Sequence, residues 1–296
     1  MAGLPEAAAL TLSGRTLITG IFGDPVEHSL SPAMHNAAYA ALGVDRAYLP
    51  FRVHPEQLAY AIRAIPALGI LGVNITVPHK EHAARLMPRL SAEAKLLGAV
   101  NCIVNRSSSL YGDNTDARGL ELALRELKVA VGGSGKRGVI IIGAGGGAAA
   151  AVLASKRLGA RRIVIANRTR GRALGLARRF AKPTIEVREL DALLDRELLG
   201  GAALVINATS AGLSSGHFPA LDYRSTPTDC VFYDLLYARA PSAFLKPAIE
   251  LGRAADDGAL MLLNQGVLAF KLFNRLTSPA DVMRKALFER LGRDAG

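Results

Sequence analysis

Short apolar runs alternate with helical segments through the second half of the chain. The run at 138–143 is entirely apolar, and further strand-like runs follow at 162–167, 184–187, 203–207 and 230–234. Buried parallel strands have this character because both faces of their sheet are covered. Strands that alternate with helices at this spacing predict βαβ units and a parallel sheet.

The first half repeats the alternation less regularly. We predict strands at 17–22, 48–53, 72–77 and 98–105, helices at 31–42, 57–65 and 119–127, and a turn at 112–116. Pro32 favours the first turn of its helix, where a missing N–H loses no hydrogen bond. The Gly- and Ser-containing stretch 132–135 predicts a loop that leads into the second half. Helical spacing returns from about 258 to 273 and again at 280–291.

One strand of the first half ends in residues suited to catalysis. In the segment 72–80, Asn74 and Thr76 alternate with apolar residues and share one face. Pro78 ends the strand because it has a fixed φ and no N–H, and Lys80 follows two residues later. The carboxyl ends of strands in α/β sheets bind ligands. Lys80 is therefore a candidate acid/base catalyst, although a lone lysine is alternatively a surface residue.

A glycine-rich turn links the strand at 138–143 to an Ala-rich helix. The pattern Gly143-x-Gly145-x-x-Ala148 follows a strand and opens a helix, as a dinucleotide-binding fingerprint does. The glycines allow a tight turn and close approach of the backbone, and the helix N-terminus offers N–H groups to a pyrophosphate. This context predicts a dinucleotide site, and the alternative is a Gly/Ala-rich turn with no ligand.

The end of the next strand distinguishes between two cofactors. NAD sites carry an Asp or Glu there for the ribose 2′-hydroxyl. This chain has Asn167, Arg168, Thr169, Arg170 and Arg172 instead. An arginine can stack on adenine or pair with a 2′-phosphate, which a carboxylate would repel. The stretch therefore favours NADP over NAD, with helix-surface charge as the alternative, above all for Arg170.

The segment 207–212 ends the strand at 203–207 and by position borders the nicotinamide side of the site. Taken alone, it is equally consistent with a loop that caps a helix.

Further polar residues lie next to short strands of the first half. Ser29 and Ser31 are two residues apart in a stretch that we expect to be extended, so both hydroxyls can donate to one carboxylate. The alternative is that Ser31 caps the following helix. Asn101 and Asp116 also adjoin apolar runs, and each is alternatively a turn residue. Combined with the polar residues of the earlier segment, the set suits a small polyhydroxylated acid, with Lys80 and Asp116 handling a proton during hydride transfer.

Seven segments together resemble the shikimate dehydrogenase family and occur in that family's order between about 16 and 273. They are 23–36, 72–80, 98–101, 114–116, 143–148, 167–169 and 207–212. The resemblance implies an oxidoreductase of the shikimate pathway, which leads to chorismate and the aromatic amino acids. Its reaction would be the NADPH-dependent reduction of 3-dehydroshikimate to shikimate.

The resemblance also implies the organisation of the chain. We expect an α/β protein with an N-terminal α/β substrate-binding catalytic domain at 14–117 plus about 259–292. A Rossmann-type NADP-binding domain is expected at 118–258, with a cleft between the two and a C-terminal helix that returns to the first domain.

By the same resemblance, Ser29 and Ser31 hold the substrate carboxylate. Lys80 and Asp116 form the catalytic pair, with Lys80 as the acid/base. The residues implied to contact ring hydroxyls or to complete the substrate site are Asn74, Thr76, Asn101, Tyr237 and Gln265. The implied cofactor-binding residues are Gly143, Ala144, Gly145, Gly146, Gly147, Asn167, Arg168, Thr169, Arg172, Thr209, Leu235 and Gly258. No metal is expected.

Three positions and the stretch 238–241 depart from the usual pattern of the family, the stretch in its placement of Pro and Thr. Cys102 stands where Thr is usual after Gly-Ala-Val-Asn, and Lys271 and Phe273 replace commoner residues near the chain end. None belongs to the implied catalytic pair, so these departures concern detail of the substrate site and not the type of reaction.

Composition and charge limit the alternatives. The chain of 296 residues is 50% hydrophobic, lacks Trp and carries 27 Arg, 9 Lys and a net charge of +11. The Arg residues are scattered without interleaved aromatics, so no nucleic-acid partner is expected, while a positive field favours small anions. No run is long enough for a membrane span, and the start (1–16) resembles a short leader without a secretory signal. Two cysteines fit a reducing compartment, so we expect a cytoplasmic protein. We also expect a monomer or homodimer.

Three alternatives to this function remain open. The first is a quinate/shikimate or shikimate-like paralogue, although an NAD-linked quinate enzyme would favour an acidic residue near Arg168. The second is a non-catalytic NADP-sensing module, which would retain the glycine loop and lose the Lys80–Asp116 pair. The third is an enzyme similar to methylene-tetrahydrofolate dehydrogenase, which would not need both Ser29 and Ser31.

Overall fold

The computed structural model describes residues 12–131, 137–180, 184–211 and 218–294. The chain divides into two compact units, Met1–Thr115 with Gly266–Gly296, and Asp116–Gln265. The predicted leader lies mostly outside the described residues, as do the predicted loop at 132–135 and the last residue of the 207–212 segment. The predicted roles of the two domains stay a prediction, because compactness alone assigns no ligand to either unit.

Strands run through both units. In chain order they are β1 (Leu17–Gly23), β2 (Arg46–Arg52), β3 (Gly72–Ile75), β4 (Cys102–Arg106), β5 (Ser109–Asp113), β6 (Gly138–Ile142), β7 (Arg162–Ala166), β8 (Thr184–Arg188), β9 (Ala202–Asn207), β10 (Val231–Asp234) and β11 (Ala254–Asp256).

The helices separate most of these strands. They are α1 (Ser31–Leu42), α2 (Leu58–Ala67), α3 (Lys80–Leu86), α4 (Ala92–Leu97), α5 (Asp116–Glu126), α6 (Gly146–Arg157), α7 (Arg170–Ala177), α8 (Arg196–Gly200), α9 (Lys246–Glu250), α10 (Ala259–Asn274) and α11 (Ala280–Leu291). Within the described ranges, none of them combines the length and apolar character that crossing a membrane requires.

The sheet of the first unit is mixed, with strand order β2-β1-β3-β4-β5. β1 runs parallel to β2 and β3, whereas β4 runs antiparallel to both β3 and β5. Residues such as Leu58, Ile65, Val73 and Ile103 form a core against this sheet. α11 packs on α1 and buries Met283 among other residues, so the C-terminal helix belongs to the first unit, as predicted.

The sheet of the second unit is parallel throughout, in the order β11-β10-β9-β6-β7-β8. The chain builds outward from β6 through β8, then returns to the other side of β6 with β9 to β11. This is the strand order of dinucleotide-binding doubly wound folds, and its direction reverses between β6 and β9. The predicted α/β architecture with a Rossmann-type sheet is confirmed.

The main corrections to the predicted elements lie between β3 and α5. α4 ends at Leu97 and is capped by Gly98, whose φ of 61° is left-handed, so the predicted strand at 98–105 begins only at Cys102. The predicted turn at 112–116 contains the end of β5, and α5 begins at Asp116, three residues earlier than expected. β3 ends at Ile75, two residues before the predicted end. The short helices α3 and α4 were missed because neither is long enough to show a helical period.

Candidate functional site

The directions of β3, β4 and β5 bring one end of each strand to the same edge of the first sheet. β4 is antiparallel to its neighbours, so the residue before it lies beside the residues that end β3 and β5. The Asn101 carbonyl accepts the N–H of Ile75 at 2.8 Å, and the Asn101 N–H donates to the Asp113 carbonyl at 3.1 Å. Asn101 therefore joins the ends of all three strands.

Asn74 and Asn101 belong to one buried hydrogen-bonded set. The Asn74 amide donates to the Asn101 carbonyl at 3.1 Å and accepts from the Tyr48 hydroxyl at 2.7 Å. The Asn101 side chain donates to Thr115 Oγ1 at 2.9 Å and accepts the Thr115 N–H at 2.8 Å. Both amides are at most 4% exposed. Their orientation is thus fixed by the protein, which suits the recognition of neutral hydroxyl groups.

Tyr48 and Thr115 were missed as parts of this edge. Tyr48 is fully buried, which raises the pKa of its phenol well above the ordinary value, and Ser31 is a hydrogen-bond partner of that phenol. Thr115 could have been identified from the sequence, since it lies inside the segment 114–116. Tyr48 left no such signal, because an inward-facing tyrosine on a strand is usually a core residue.

Ser29 and Ser31 lie at the start of α1 and are not arranged as expected. Leu30 has helical angles (φ −90°, ψ −4°), so the stretch is not extended there. Ser31 is the first helical residue and makes no side-chain cap, which also overturns the capping alternative. The Ser29 hydroxyl instead accepts the Ser31 N–H at 3.3 Å. Ser31 is buried and Ser29 is half-buried.

Thr76, Lys80 and Asp116 lie just beyond strand ends. The Thr76 N–H donates to the Phe22 carbonyl at 2.9 Å, which extends the ladder past β3. Lys80 is the first residue of α3 and is half-buried, with its carbonyl accepting the Val100 N–H at 2.9 Å. Asp116 is the first residue of α5 and is 3% exposed. A carboxylate in the first turn of a helix is stabilised by the helix dipole.

The glycine turn of the second unit has the geometry of an anion-binding loop. Gly143 has a φ of 118°, and a Cβ at this residue would lie 2.9 Å from the Ala208 carbonyl oxygen. Gly145 precedes the first turn of α6, and a Cβ built on it would have no described atom within 4 Å. Ala144, Gly146 and Gly147 complete the turn into α6, and the first N–H groups of a helix have no partner within the helix, so they can donate to a ligand.

The end of β7 carries the predicted arginines on the surface. The Asn167 amide donates to the Thr169 carbonyl at 2.9 Å and shapes the turn into α7. Arg168 and Arg172 are exposed, and the described residues supply no hydrogen-bond or ion-pair partner to either guanidinium. Two exposed cations at the end of β7, which pairs with β6 and so lies beside the glycine turn, suit a phosphate ligand.

The strands β9 and β10 end next to the glycine turn. Gly143 faces Thr209 Cγ2, and Gly147 faces Leu235 Cδ1, at 3.1 and 3.0 Å from their built Cβ positions. Gly258 packs directly against the Leu235 carbonyl, which leaves no room for a side chain. These predicted cofactor residues are therefore brought together around one turn.

Tyr237 and Gln265 are the remaining predicted substrate residues. Tyr237 is half-buried and follows β10. Gln265 lies on α10, is 8% exposed and donates to the Leu262 carbonyl at 2.9 Å. A Cβ at Gly119 on α5 would lie 2.8 Å from the Gln265 backbone N, so these two helices are in close contact there.

A dinucleotide phosphate fits the arrangement of the second unit. The left-handed Gly143, the open Gly145 and the N-terminus of α6 provide a cradle for a pyrophosphate, and Arg168 and Arg172 provide cations for a further phosphate. Within the described ranges, no three His, Cys, Asp or Glu side chains group as metal ligands would.

Comparisons with known proteins agree across the chain. Residues 21–103 match the family model of the shikimate dehydrogenase substrate binding domain, and residues 122–218 match that of shikimate / quinate 5-dehydrogenase. A curated shikimate dehydrogenase (NADP(+)) from a Geobacter species is 40% identical over 286 residues, covering 95% of this chain and 98% of that protein.

Two solved structures add information on ligands. Shikimate 5-dehydrogenase from Thermus thermophilus, in complex with NADP(H) and shikimate, has a TM-score of 0.81 and 33% identity and covers 93% of this chain and 100% of its own. Quinate dehydrogenase from Corynebacterium glutamicum, in complex with NAD, has a TM-score of 0.82 and 27% identity and covers 93% of this chain and 99% of its own. From the family models and the near full-length identity to a curated member, the chain belongs to the shikimate dehydrogenase family.

Proposed function

We propose that this chain catalyses the reversible NADPH-dependent reduction of 3-dehydroshikimate to shikimate, a step of aromatic amino-acid biosynthesis. The observation that carries the proposal is the buried set of Asn74, Asn101 and Thr115, which presents fixed polar groups beside the turn that leads to Lys80. The similarity to NADP-linked shikimate dehydrogenases over 95% of the chain supports it.

On this proposal, residues 14–117 with about 259–292 form the substrate-binding catalytic domain. Ser29 and Ser31 hold the substrate carboxylate, with the N-terminal turn of α1 adding a favourable dipole. The ring hydroxyls are framed by the remaining substrate residues, which are Asn74, Thr76, Asn101, Tyr237 and Gln265.

Lys80 acts as the acid/base of the reaction, with Asp116 as its carboxylate partner. In the reductive direction Lys80 gives a proton to the oxygen of the 3-carbonyl, and in the oxidative direction it takes that proton back. Bound NADPH supplies the hydride to the carbonyl carbon. General acid catalysis of this kind contributes roughly 10²–10⁴-fold to the rate.

The second unit binds the cofactor. Gly143, Ala144, Gly145, Gly146 and Gly147 hold the pyrophosphate against the N-terminus of α6. Asn167, Arg168, Thr169 and Arg172 hold the adenosine end and its 2′-phosphate, and Thr209, Leu235 and Gly258 border the nicotinamide end.

A second candidate function is quinate oxidation. The structural similarity to a quinate dehydrogenase in complex with NAD favours testing it, since that enzyme shares the same fold. The arginines after β7 argue for NADP, because a 2′-phosphate gives them a partner and a plain ribose does not.

One assay separates these functions. Initial rates are measured with shikimate and with quinate, each with NADP⁺ and NAD⁺. We expect the highest kcat/KM for shikimate with NADP⁺. A preference for quinate with NAD⁺ would replace the proposal by the second candidate, and no dehydrogenation of either acid would leave a cofactor-binding module.

We further propose a cytoplasmic location and a monomeric or homodimeric state. Both cysteines are buried and neither is in a disulfide, which suits a reducing compartment. Light scattering of the purified chain gives the mass directly, and a tetramer or larger assembly would contradict this part of the proposal.

A further inference from the structure

The ends of β9 and β10 are joined by the carboxylate of Asp234. This side chain is fully buried, and burial raises its pKa above the ordinary value. Oδ1 accepts from the Asn207 amide at 2.9 Å and from the Leu236 N–H at 3.1 Å, while Oδ2 accepts from Ser242 Oγ at 2.6 Å. A buried carboxylate is tolerated only with such donors, so its position is tightly determined.

Asn207 connects the Asp234 carboxylate to the loop after β9. Its Oδ1 accepts both the N–H and the hydroxyl of Thr209, at 3.0 and 2.7 Å. Thr209 Oγ1 in turn accepts the Ala211 N–H at 3.1 Å. Because the Asn207 amide is held by Asp234, its oxygen has one orientation available, and that orientation sets the position of Thr209.

This series of contacts lies at the point where the strand order of the second sheet reverses. Asn207 is the last residue of β9 and pairs with Ile142 of β6 on one side and Asp234 of β10 on the other. Open α/β sheets bind their ligands at such a reversal. The loop that Asp234 fixes also faces the glycine turn, through the contact of Thr209 with the Cβ position of Gly143.

We propose that Asp234 is a positioning residue for the nicotinamide end of the dinucleotide, acting through Asn207 on Thr209. The inference rests on the proposed function, since it takes NADP(H) as the cofactor. It assigns a role to a carboxylate that touches neither the pyrophosphate turn nor the arginines after β7.

The partners of Asp234 provide a matched pair of variants. Asn207→Ala removes the connection to Thr209, whereas Ser242→Ala removes a donor to the other carboxylate oxygen and leaves that connection intact. The readouts are dissociation constants for NADPH, from its fluorescence on titration, and for adenosine 2′,5′-bisphosphate, which contains only the adenosine end.

The two variants should separate the two ends of the cofactor. We expect Asn207→Ala to weaken NADPH binding about tenfold, the equivalent of one hydrogen bond of ordinary strength, and to leave adenosine bisphosphate binding within about twofold. Ser242→Ala should leave both constants within about twofold of the parent. Equal weakening of both ligands by Asn207→Ala, or no weakening of NADPH, would overturn the proposal.

Asp234 itself is tested by a conservative and a truncating change. Asp234→Asn keeps an acceptor for Asn207 and Leu236 and turns its amide toward Ser242, so NADPH binding should stay within about threefold. Asp234→Ala should weaken NADPH binding about tenfold in the parent and add little in the Asn207→Ala background, because both changes break one connection. Full additivity would contradict action through Asn207.

Failure of this inference is distinguishable from failure of the proposed function. A parent chain that binds NADPH and oxidises shikimate, with Asn207→Ala indistinguishable from it, would reject only the role of Asp234. A parent chain that does not bind NADPH would reject the proposed cofactor itself. If Asp234→Ala does not fold, the Asn207→Ala and Ser242→Ala pair still decides.

Discussion

The two sheet edges that carry the candidate residues, one in each unit, differ in how their polar groups are held. At the edge of the mixed sheet, Asn74 and Asn101 are at most 4% exposed, and each side-chain amide donates and accepts a hydrogen bond within the protein. At the edge of the parallel sheet, Arg168 and Arg172 are exposed cations. Neutral hydroxyls require donors and acceptors placed in advance, whereas a phosphate attracts an exposed guanidinium through charge. Changes at the first edge should therefore act through geometry, and changes at the second through charge.

The prediction with the largest expected effect tests whether Lys80, the charged residue of the first edge, is catalytic. Lys80→Ala should reduce kcat for shikimate oxidation by about 10²–10⁴-fold, because the group that accepts the substrate proton is lost, and should leave KM for shikimate within about threefold. Steady-state kinetics in the direction of shikimate oxidation give both constants.

A matched lysine controls this experiment. Lys95 is an exposed residue of α4 in the same unit, and Lys95→Ala should change neither constant. An unchanged kcat with a raised KM in Lys80→Ala would show that Lys80 binds the substrate through its charge. The first edge would then recognise its ligand by charge, as the second edge does.

The parallel sheet was largely predictable from the sequence, for physical reasons. Most of its strands before β11 are short apolar runs, with β8 as the exception because it contains Glu186 and Arg188, and parallel strands all present their carboxyl ends at one edge. The residues after β6, β7 and β9 could therefore be grouped from their order in the chain. β11 escaped notice because it is a three-residue edge strand without an apolar run.

The mixed sheet was less predictable, because the hydrophobic pattern of a strand does not indicate whether it runs parallel or antiparallel to its neighbours. Asn101 precedes β4 and reaches the edge only because that strand is antiparallel. The left-handed Gly98 that places it ends a helix of six residues, too short to recognise. The resemblance to the family identified Asn101 as a site residue, whereas the hydrophobic pattern alone placed it inside a predicted strand. It gave no sign of Tyr48, which the structure places in contact with Asn74.

The second expected effect tests the charge-based edge. Arg168→Ala should raise KM for NADP⁺ about 10- to 100-fold, the equivalent of a lost charge-assisted hydrogen bond, and should change KM for NAD⁺ less than twofold. Since exposed charges are screened, the difference from the parent should shrink as salt increases. Initial rates at two salt concentrations with each cofactor measure both effects.

Arg170 serves as the control for this prediction. It is an exposed arginine at the start of α7, and Arg170→Ala should leave the ratio of the two KM values unchanged. If Arg168→Ala weakened NADP⁺ and NAD⁺ equally, its role would be packing against the adenosine, and the contrast between the edges would fail.

The smallest expected effect concerns His35, which is buried beneath the first edge. Its ring stacks on Tyr48 with centroids 4.2 Å apart, and neither ring nitrogen has a hydrogen-bond partner among the described residues. Burial lowers the pKa of His35 from 6.5 to about 3. The folded state therefore excludes a proton that the unfolded chain binds below pH 6.5. Stability from this residue is present above that pH and is lost as the pH falls toward 3.

His35→Phe removes this proton-binding group while keeping an aromatic ring against Tyr48. Between pH 7 and pH 5 the parent should lose about 2 kcal/mol more free energy of unfolding than the variant, as urea denaturation at the two pH values can measure. His28→Ala, at an exposed position, should follow the parent. An identical pH dependence in parent and His35→Phe would mean that the histidine is protonated or solvated in the folded chain. The support beneath Tyr48 would then be polar, and the first edge would not be held by packing and fixed amides alone.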